Sequence, residues 1–321
     1  MLAVHLLAHI EKAFGRHLPL ATLFQGPTVE QLAEQLYQEE RPMSWSWLVP
    51  IQPKGSKPPF FCMHGGSGVA HYLGPDQPYY GLQPHGLDGR RVPTTIEDMA
   101  VDYIKEIRTV QPEGPYFLGG YSYGGLVAFE MAQQLRHQGQ EVALLVLFDT
   151  SLPKMSNVSS IMDSDTAPLF SALARYRSKF SRHLMNLRPF GPQEKILYLL
   201  QGVKWRIQGT ESKIKSKIKK VACKLWLDMR GHVPPSLRHF YFLEFASPAI
   251  RGYVPQVYPG RVLIFKAETR VDDPQLSWGR FVAGGLDVRE VPGGHRALLN
   301  DSLVQEIVAK QLTEVLTTYW G

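Results

Sequence analysis

Several features are scarce or missing in this chain of 321 residues, and each absence argues against a class of protein. Only two cysteines occur, Cys62 and Cys223, in apolar surroundings, so we expect two separate thiols in a reducing compartment and no disulfide scaffold. There is no run of about 18 uncharged apolar residues, so no transmembrane helix is predicted. Residues 1–16 are too charged and too regularly spaced for a secretory signal. The sequence therefore predicts a cytoplasmic protein that does not enter a membrane.

Strong charge of one sign is also missing. The formal net charge is +6, and the basic residues are not interleaved with stacking aromatics, so we expect no nucleic-acid partner. Hydrophobic residues make up 44% of the chain, which is typical of a globular protein with a large core. The densest basic run indicates a solvated helix face, with a docking surface for an acidic carrier protein as the alternative. It contains Lys213, Lys215, Lys217, Lys219 and Lys220.

The N-terminal part differs in pattern from the rest of the chain. In residues 1–40, apolar side chains recur at helical spacing, and a second short helix is predicted to begin at Thr28, with Gln31 as its capping-box partner. Residues 41–58 are rich in proline and read as an extended linker that leads into the first strand. We expect a short helical segment of its own before the main domain, which we place at residues 59–320.

In the main domain, apolar strands alternate with amphipathic helices, which predicts a mostly parallel sheet with helices on both faces, an α/β fold. Residues 151–250 interrupt this alternation and are too long for a loop in a compact domain, so we interpret them as a helical insertion. The predicted strands are 60–63, 79–83, 116–120, 142–149, 261–268 and 286–293, and the predicted helices are 94–110, 126–139 and 302–316.

One turn fits the pattern G-x-S-x-G, namely Gly120-Tyr121-Ser122-Tyr123-Gly124. Between a strand and a helix, this pattern is typical of a strained turn that presents a nucleophilic serine, and the small glycines let strand and helix pass closely. Backbone N–H groups at the helix start can also hold an oxyanion. We predict Ser122 as the nucleophile, with an ordinary glycine-rich turn as the alternative.

A nucleophilic serine needs a base, and the base needs a carboxylate that orients it, in the order Ser, acid, His for this kind of fold. Asp149 ends the apolar strand 142–149, at the sheet edge where such folds place their sites, and is the predicted acid. The alternative acids are Asp272 and Asp273 after the strand 261–268, although a simple loop turn explains that pair as well.

The predicted base is His295, which follows the last strand in a glycine loop before the final helix. His64 is the main alternative, but it precedes Ser122 in the chain and fits better in another motif.

The motif that contains His64 is the glycine cluster of residues 64–68, which resembles a loop that donates one oxyanion N–H. Gly66 and Tyr123 would then supply the two N–H groups. A phosphate-binding loop is the alternative, and the absence of a following lysine argues against it.

At this point the residues match a known family. The stretch from about 48 to 320 resembles the thioesterase domains that end nonribosomal peptide synthetases and polyketide synthases. The resemblance implies an α/β-hydrolase fold, a helical lid at about 151–250 and an acid after the strand that follows the nucleophile unit, which favours Asp149. The matching stretches are FFCMHGGSG, GPDQPYYGLQPHGLDG, TIEDMAVDYIKEIRTVQPEGPYFLGGYSYGGLVAFEMAQQL, LLVLFDTSLP, YPGRVLIFKAE and VPGGHRALL.

The resemblance also implies the chemistry and its partners. Residues 1–40 are similar to the second half of a phosphopantetheine carrier domain, whose modified serine would stand just before Met1, so we expect a truncated carrier at the tail of a larger assembly-line protein. The implied activity is release of an acyl or peptidyl chain from a carrier by hydrolysis or macrocyclisation. The implied partners are an acyl or peptidyl carrier protein or upstream synthase modules. No metal and no cofactor of its own is implied.

Two alternatives to an active enzyme stay open from the sequence alone. The connection at residues 69–72 is shorter than in the family, and we expect the helix that would support the Gly66 loop to be missing. Such a loss would give a catalytically impaired remnant. The other alternative is an interaction module that docks a partner through residues 1–40 and the lysine run.

Overall fold

The computed structural model describes residues 2–15, 18, 22–23, 28–37, 46–153 and 215–319. The chain divides into two compact units, Met1–Pro153 with Trp226–Gly321, and Lys154–Leu225. Of the second unit, only residues 215–225 are described, and they are helical. Residues 154–214, the larger part of the predicted insertion, lie outside the described residues. Among the described helices, none is long and apolar enough to cross a bilayer.

The first unit is built on a seven-stranded sheet with the order β1-β3-β2-β4-β5-β6-β7. Only β1 runs antiparallel to its neighbour, and every other described pairing is parallel, so the predicted mostly parallel sheet is confirmed. All six predicted strands are present, with ends that shift by at most two residues. The strands are β1 (Leu48–Gln52), β2 (Phe60–Met63), β3 (Tyr79–Leu82), β4 (Tyr116–Tyr121), β5 (Val142–Phe148), β6 (Val262–Ala267) and β7 (Leu286–Val291).

Strand β1 lies inside the segment predicted as a linker. It pairs with β3 at the edge of the sheet, and its register shifts between Pro50 and Gln52. Proline lacks a backbone N–H, but an edge strand has only one neighbour and tolerates the missing donor. The prolines that suggested an extended linker are therefore compatible with an edge strand, which the sequence interpretation missed.

Helices cover both faces of the sheet. Leu145 and Leu147 of β5 belong to a core with the helices at 96–108 (α4), 123–137 (α5) and 235–252 (α6). Leu144 and Val146 belong to a second core with the helices at 67–70 (α3) and 302–317 (α9). Burial on both faces explains the continuous apolar run of this strand. The helices are α1 (Leu2–Phe14), α2 (Val29–Tyr37), α3 (Ser67–Ala70), α4 (Ile96–Arg108), α5 (Tyr123–His137), α6 (Pro235–Gly252), α7 (Pro274–Trp278), α8 (Ala297–Asn300) and α9 (Ser302–Thr317).

The N-terminal segment contains the two predicted helices, α1 and α2. The capping box at the start of α2 is present, because the Thr28 amide donates to Gln31 Oε1 at 3.3 Å and the Gln31 amide donates to Thr28 Oγ1 at 3.2 Å. Helix α1 contacts α6 through an ion pair between Glu11 and Arg238 at 3.3 Å. The boundary that we placed at residue 40 stays a prediction.

The strand order reverses beside β2, and this reversal places the site. From β2 the chain moves outward to β3, then returns to the other side of β2 to form β4 and continues to β7. In open parallel sheets, such a switch point leaves a crevice at the carboxyl ends of the two strands. The residues that follow β2 and β4 are His64, the first residue of the glycine motif, and Ser122, the predicted nucleophile, so both predicted motifs lie at this crevice.

Candidate active site

Ser122 forms the sharp turn between β4 and α5. Its backbone has φ 56° and ψ −124°, outside the regions that L residues favour. The Ser122 amide donates to the Phe148 carbonyl at 2.9 Å, and its carbonyl accepts from the Gly125 amide at 3.0 Å. These bonds fix the serine between the end of a central strand and the first turn of a helix, which begins three residues earlier than predicted.

Glycines make this turn possible for a steric reason. A Cβ atom at Gly120 would collide with the Gly124 carbonyl oxygen. A Cβ at Gly124 would lie 2.6 Å from the Met63 carbonyl oxygen and 2.9 Å from His64 Cβ. Since the obstacles are backbone atoms, they cannot move aside cheaply. The close passage of strand and helix that the sequence pattern predicted is therefore present.

Asp149 and His295 meet at the same edge of the sheet. Asp149 directly follows β5, and His295 lies in the loop between β7 and α8. His295 Nδ1 and Asp149 Oδ2 are 2.6 Å apart, a hydrogen bond between residues 146 positions apart in the chain. The carboxylate is 5% exposed, whereas the imidazole is accessible to solvent. This arrangement leaves Nε2 as the free nitrogen of the ring.

The second oxygen of Asp149 is also fully engaged. Asp149 Oδ1 accepts from the Ala267 amide at 3.0 Å and from Arg270 Nη1 at 3.2 Å. Burial would raise the pKa of Asp149, but the hydrogen bonds from His295, Ala267 and Arg270 outweigh burial and lower the pKa below its usual value. Asp149 is therefore an anion over the whole neutral range. The sequence interpretation missed Arg270, since nothing in its local pattern distinguishes it from other loop arginines.

Tyr121, the residue before Ser122, ties the histidine loop to β4. Its hydroxyl donates to the His295 carbonyl at 2.6 Å, and its ring stacks on the imidazole with centroids 4.7 Å apart. Within the described part of the chain, the Ser122 side chain makes no hydrogen bond to His295. Tyr121 nevertheless fixes the imidazole next to the strand end that carries the serine.

Backbone strain marks the same edge. Among the described residues, the non-glycine positions with positive φ are His64, Ser122 and Asp149, and they directly follow β2, β4 and β5. Such conformations cost about 1–3 kcal/mol each and cluster at functional sites. Three neighbouring strands thus end in strained residues, two of which, Ser122 and Asp149, are predicted catalytic residues, while the third, His64, begins the predicted glycine motif.

The glycine loop after β2 packs against the side chains of Tyr79 and Cys62. Gly66 has φ 79°, and a Cβ there would collide with the Tyr79 hydroxyl and lie 2.9 Å from Cys62 Sγ. The residues after it form α3, whose Val69 and Ala70 are buried in the same core as α9. In place of the longer helix that was expected to be missing, the shortened connection contains a single helical turn. That Gly66 and Tyr123 form an oxyanion hole stays a prediction.

Comparison with known proteins now adds to this geometry. Residues 58–194 match the family model of the thioesterase domain, and residues 1–36 match that of the phosphopantetheine attachment site. The chain carries a thioesterase domain. It is preceded by residues of the phosphopantetheine carrier family, as the sequence resemblance implied.

Relatives and solved structures agree with this family. A dimodular nonribosomal peptide synthase of Bacillus subtilis is 47% identical over 157 residues, which cover 46% of this chain and 7% of that protein. A four-domain nonribosomal peptide synthetase, AB3403, superimposes with a TM-score of 0.57 at 27% identity, over 98% of this chain and 23% of that one. The NocB thioesterase domain gives a TM-score of 0.52 at 23% identity, over 84% of this chain and 98% of that domain, which shows the fold alone. The fold is that of the α/β-hydrolases.

An aromatic wall lines the thioesterase domain next to Ser122. Tyr123 lies 4.4 Å from the His64 ring and 5.6 Å from the Phe242 ring of α6, measured between centroids. His64 Nε2 is 2.8 Å from the Tyr103 hydroxyl, and burial, with a smaller effect of His85, holds the His64 pKa well below its usual value. His64 is therefore neutral and, in the described structure, it contacts no carboxylate, whereas His295 bonds to Asp149.

The alternative acids have other partners. Asp272 pairs with Arg270, and Asp273 caps α7 by accepting from the Gln275 amide at 2.8 Å. Neither carboxylate bonds to His295 in the described structure, whereas Asp149 does. The choice of Asp149 over this pair rests on that contact.

The remaining sequence predictions concern the lysine run and metals. Lys213 lies outside the described residues, and the run from 215 to 220 is helical, as its pattern predicted. Its role in docking stays a prediction. Over the described ranges, no group of three or more His, Cys, Asp or Glu side chains is arranged to hold a metal ion.

We expect Gly124→Ala to damage both the site and the fold. The new methyl group would press on Met63 and His64, so we expect a free energy of unfolding lower by about 1–3 kcal/mol and a loss of serine reactivity. The measurement is thermal unfolding combined with covalent labelling of the serine. Gly279→Ala is the matched control, because its φ is −55° and its Cβ meets no atom within 4 Å. Equal stability of the two variants would contradict the steric argument.

Proposed function

We propose that this thioesterase domain is a serine hydrolase that releases an acyl or peptidyl chain from a phosphopantetheine thioester. In this proposal Ser122 is the nucleophile, His295 the base and Asp149 the carboxylate that orients the base. The observation that carries it is the 2.6 Å bond from Asp149 to His295 at the sheet edge where the strained turn holds Ser122.

The first half of the reaction is acylation. His295 Nε2 takes the proton of the Ser122 hydroxyl while the oxygen attacks the thioester carbonyl. Asp149, anionic at neutral pH, keeps the Nδ1 proton of His295 in place and stabilises the imidazolium that forms. The pantetheine thiol leaves with a proton from His295, and an acyl ester on Ser122 remains. The hydrogen bond that the nucleophile donates to the base is often long before substrate binds, so the missing bond from Ser122 is compatible with this role.

Backbone amides would stabilise the tetrahedral oxyanion. The N–H of Tyr123 lies in the first turn of α5, where the helix leaves its first N–H groups unpaired. The N–H of Gly66 lies in the loop that α3, Tyr79 and Cys62 support. Loss of one such donor typically lowers turnover about 10²–10³-fold. Two donors from two rigid elements fit the requirement for preorganised charge stabilisation.

The second half of the reaction transfers the acyl group. Water activated by His295 gives a free acid, whereas a hydroxyl or amine of the chain itself gives a macrocycle. The aromatic wall of Tyr123, His64 and Phe242 offers apolar surface to the acyl chain beside the reacting ester. The natural partner in this proposal is the carrier domain of an upstream synthase module, which presents the thioester on its arm. The free thiols of Cys62 and Cys223 fit a reducing, cytoplasmic setting.

Turnover of matched substrates tests the proposal. We expect the chain to hydrolyse an acyl-pantetheine thioester faster than the oxygen ester of the same acyl group, because the site would be built for a thiolate leaving group on a long arm. Released thiol and released acid are measured together, so that cyclic and linear products are distinguished by mass.

Three other outcomes would each change the proposal in a different way. Faster turnover of the oxygen ester would replace the proposal with a general esterase. Labelling of Ser122 by a fluorophosphonate without turnover of several acyl-pantetheines would limit the proposal to serine activation. A folded protein with neither property would be the impaired remnant.

A further inference from the structure

Arg270 connects two of the three candidate acids, Asp149 and Asp272. Its guanidinium is 9% exposed and lies in the loop after β6. Nη1 donates to Asp149 Oδ1 at 3.2 Å, Nη2 donates to the Thr150 carbonyl at 3.0 Å, and Nε donates to Asp272. The same cation therefore bonds to the side chain of Asp149, to the backbone of the next residue, Thr150, and to the carboxylate of Asp272.

We propose that Arg270 is a positioning residue that fixes the Asp149 carboxylate and, through it, sets how readily His295 accepts a proton. This inference rests on the proposed function of Ser122, His295 and Asp149. Arg270 touches neither the serine nor any reacting atom, and it acts on the oxygen of Asp149 that His295 does not use.

Geometry supports the positioning part. Asp149 has a φ of 46°, a strained value for a residue other than glycine. Arg270 donates both to the side chain of this strained residue, at Asp149 Oδ1, and to the carbonyl of the residue after it, Thr150, and the Trp278 indole donates to the same carbonyl at 3.1 Å. The carboxylate is thus held so that Oδ2 faces His295. A shorter or uncharged side chain at position 270 would weaken this hold, although the Ala267 amide would still donate to Oδ1.

Electrostatics supports the second part. The negative charge of Asp149 stabilises the imidazolium of His295, and a cation 3.2 Å from the other oxygen opposes that stabilisation. Asp272 in turn neutralises part of the Arg270 charge. Hydrogen bonds and charges of the two carboxylates raise the pKa of Arg270 despite its burial, so the guanidinium stays charged. The nearby groups that stay unchanged in the variants below are Tyr121, which feels the charge of Asp149, Arg296, which acts on Tyr121, and Glu268, which accepts from the Gly293 amide in the His295 loop.

The sign of each charge change follows from this arrangement. Without the cation at position 270, Asp149 stabilises the imidazolium better, so His295 holds a proton more tightly and is less available as a base. Without the carboxylate at position 272, the full charge of Arg270 acts on Asp149, so His295 holds a proton less tightly. Two neighbouring substitutions are therefore expected to move the acidic limb of the activity profile in opposite directions.

The test is the pH dependence of the second-order rate of fluorophosphonate labelling, which needs no knowledge of the natural substrate. We expect the acidic limb of Arg270→Gln to move up by about 0.5–1 pH unit and that of Asp272→Asn to move down by a smaller amount. Arg270→Lys keeps the charge but loses the fork of donors, so its limb is expected closer to wild type and its plateau rate about three- to tenfold lower.

The outcomes separate this inference from the function on which it rests. If wild type is not labelled, the proposed function fails. If wild type is labelled but the limbs of Arg270→Gln and Asp272→Asn coincide with it, or move in the same direction, the role of Arg270 is overturned. If Arg270→Gln does not fold, the direction of the Asp272→Asn limb decides, since a downward shift supports the inference and an absent or upward shift contradicts it.

Discussion

Replacing Ser122 by alanine is expected to abolish covalent labelling by a fluorophosphonate and to lower thioester turnover on the order of 10⁴–10⁶-fold. The reason is that the acyl-enzyme forms on this hydroxyl, and a methyl group has no electron pair with which to attack. Mass spectrometry of the labelled protein locates the adduct, and thiol release measures turnover. The strained turn accepts alanine, which is as small as serine, so the fold is expected to persist.

The matched control is Ser302→Ala, an exposed serine at the start of α9. It is expected to be labelled and to turn over as wild type does. Labelling of Ser122→Ala to the same extent as wild type would place the reactive residue elsewhere. Absence of labelling in folded wild type would overturn the catalytic proposal itself, and the Gly66 loop would then be the part of the site to examine.

Asp149→Asn is the second large expected effect, with turnover lower by on the order of 10³–10⁴-fold. The amide is nearly isosteric, but its NH₂ group, when turned to His295 Nδ1, favours the tautomer in which Nε2 carries the proton and cannot accept one from Ser122. Turnover of an acyl-pantetheine thioester is measured beside thermal unfolding. A folded but inactive variant supports the orienting role of the carboxylate.

Asp273→Asn is the control for this prediction. It removes a carboxylate from the loop that supplied the alternative acids, and asparagine caps α7 about as well as aspartate. Its turnover is expected to stay near that of wild type. If Asp273→Asn lost as much activity as Asp149→Asn, the assignment of the acid from the His295 contact would be wrong.

Elements with a local cause were predictable from the chain itself. The capping box joins Thr28 to Gln31, three residues away, and the Ser122 turn depends on glycines two residues to either side. In β5 the continuous run of apolar residues indicates a strand buried on both faces, and this run can be read from residues 142–148 alone. The ends of elements are harder to predict, because several conformations compete there. Helix α5, for example, starts at Tyr123, earlier than predicted, because the strained Ser122 already serves as its N-cap.

Elements that depend on distant partners were decided by the tertiary structure. Strand β1 became an edge strand only because β3 lies beside it, and proline alone indicates an extended chain equally well in a linker. Asp149 is distinguished from Asp272 by the bond to His295, and Arg270 becomes special only when β5 and β6 bring it to Asp149, 121 positions away. The sequence by itself determined six of the seven described strands, the turn at Ser122 and the reactive residue types. Which of them meet depends on the sheet order, because contacts across more than a hundred residues leave no periodicity or spacing in a single chain.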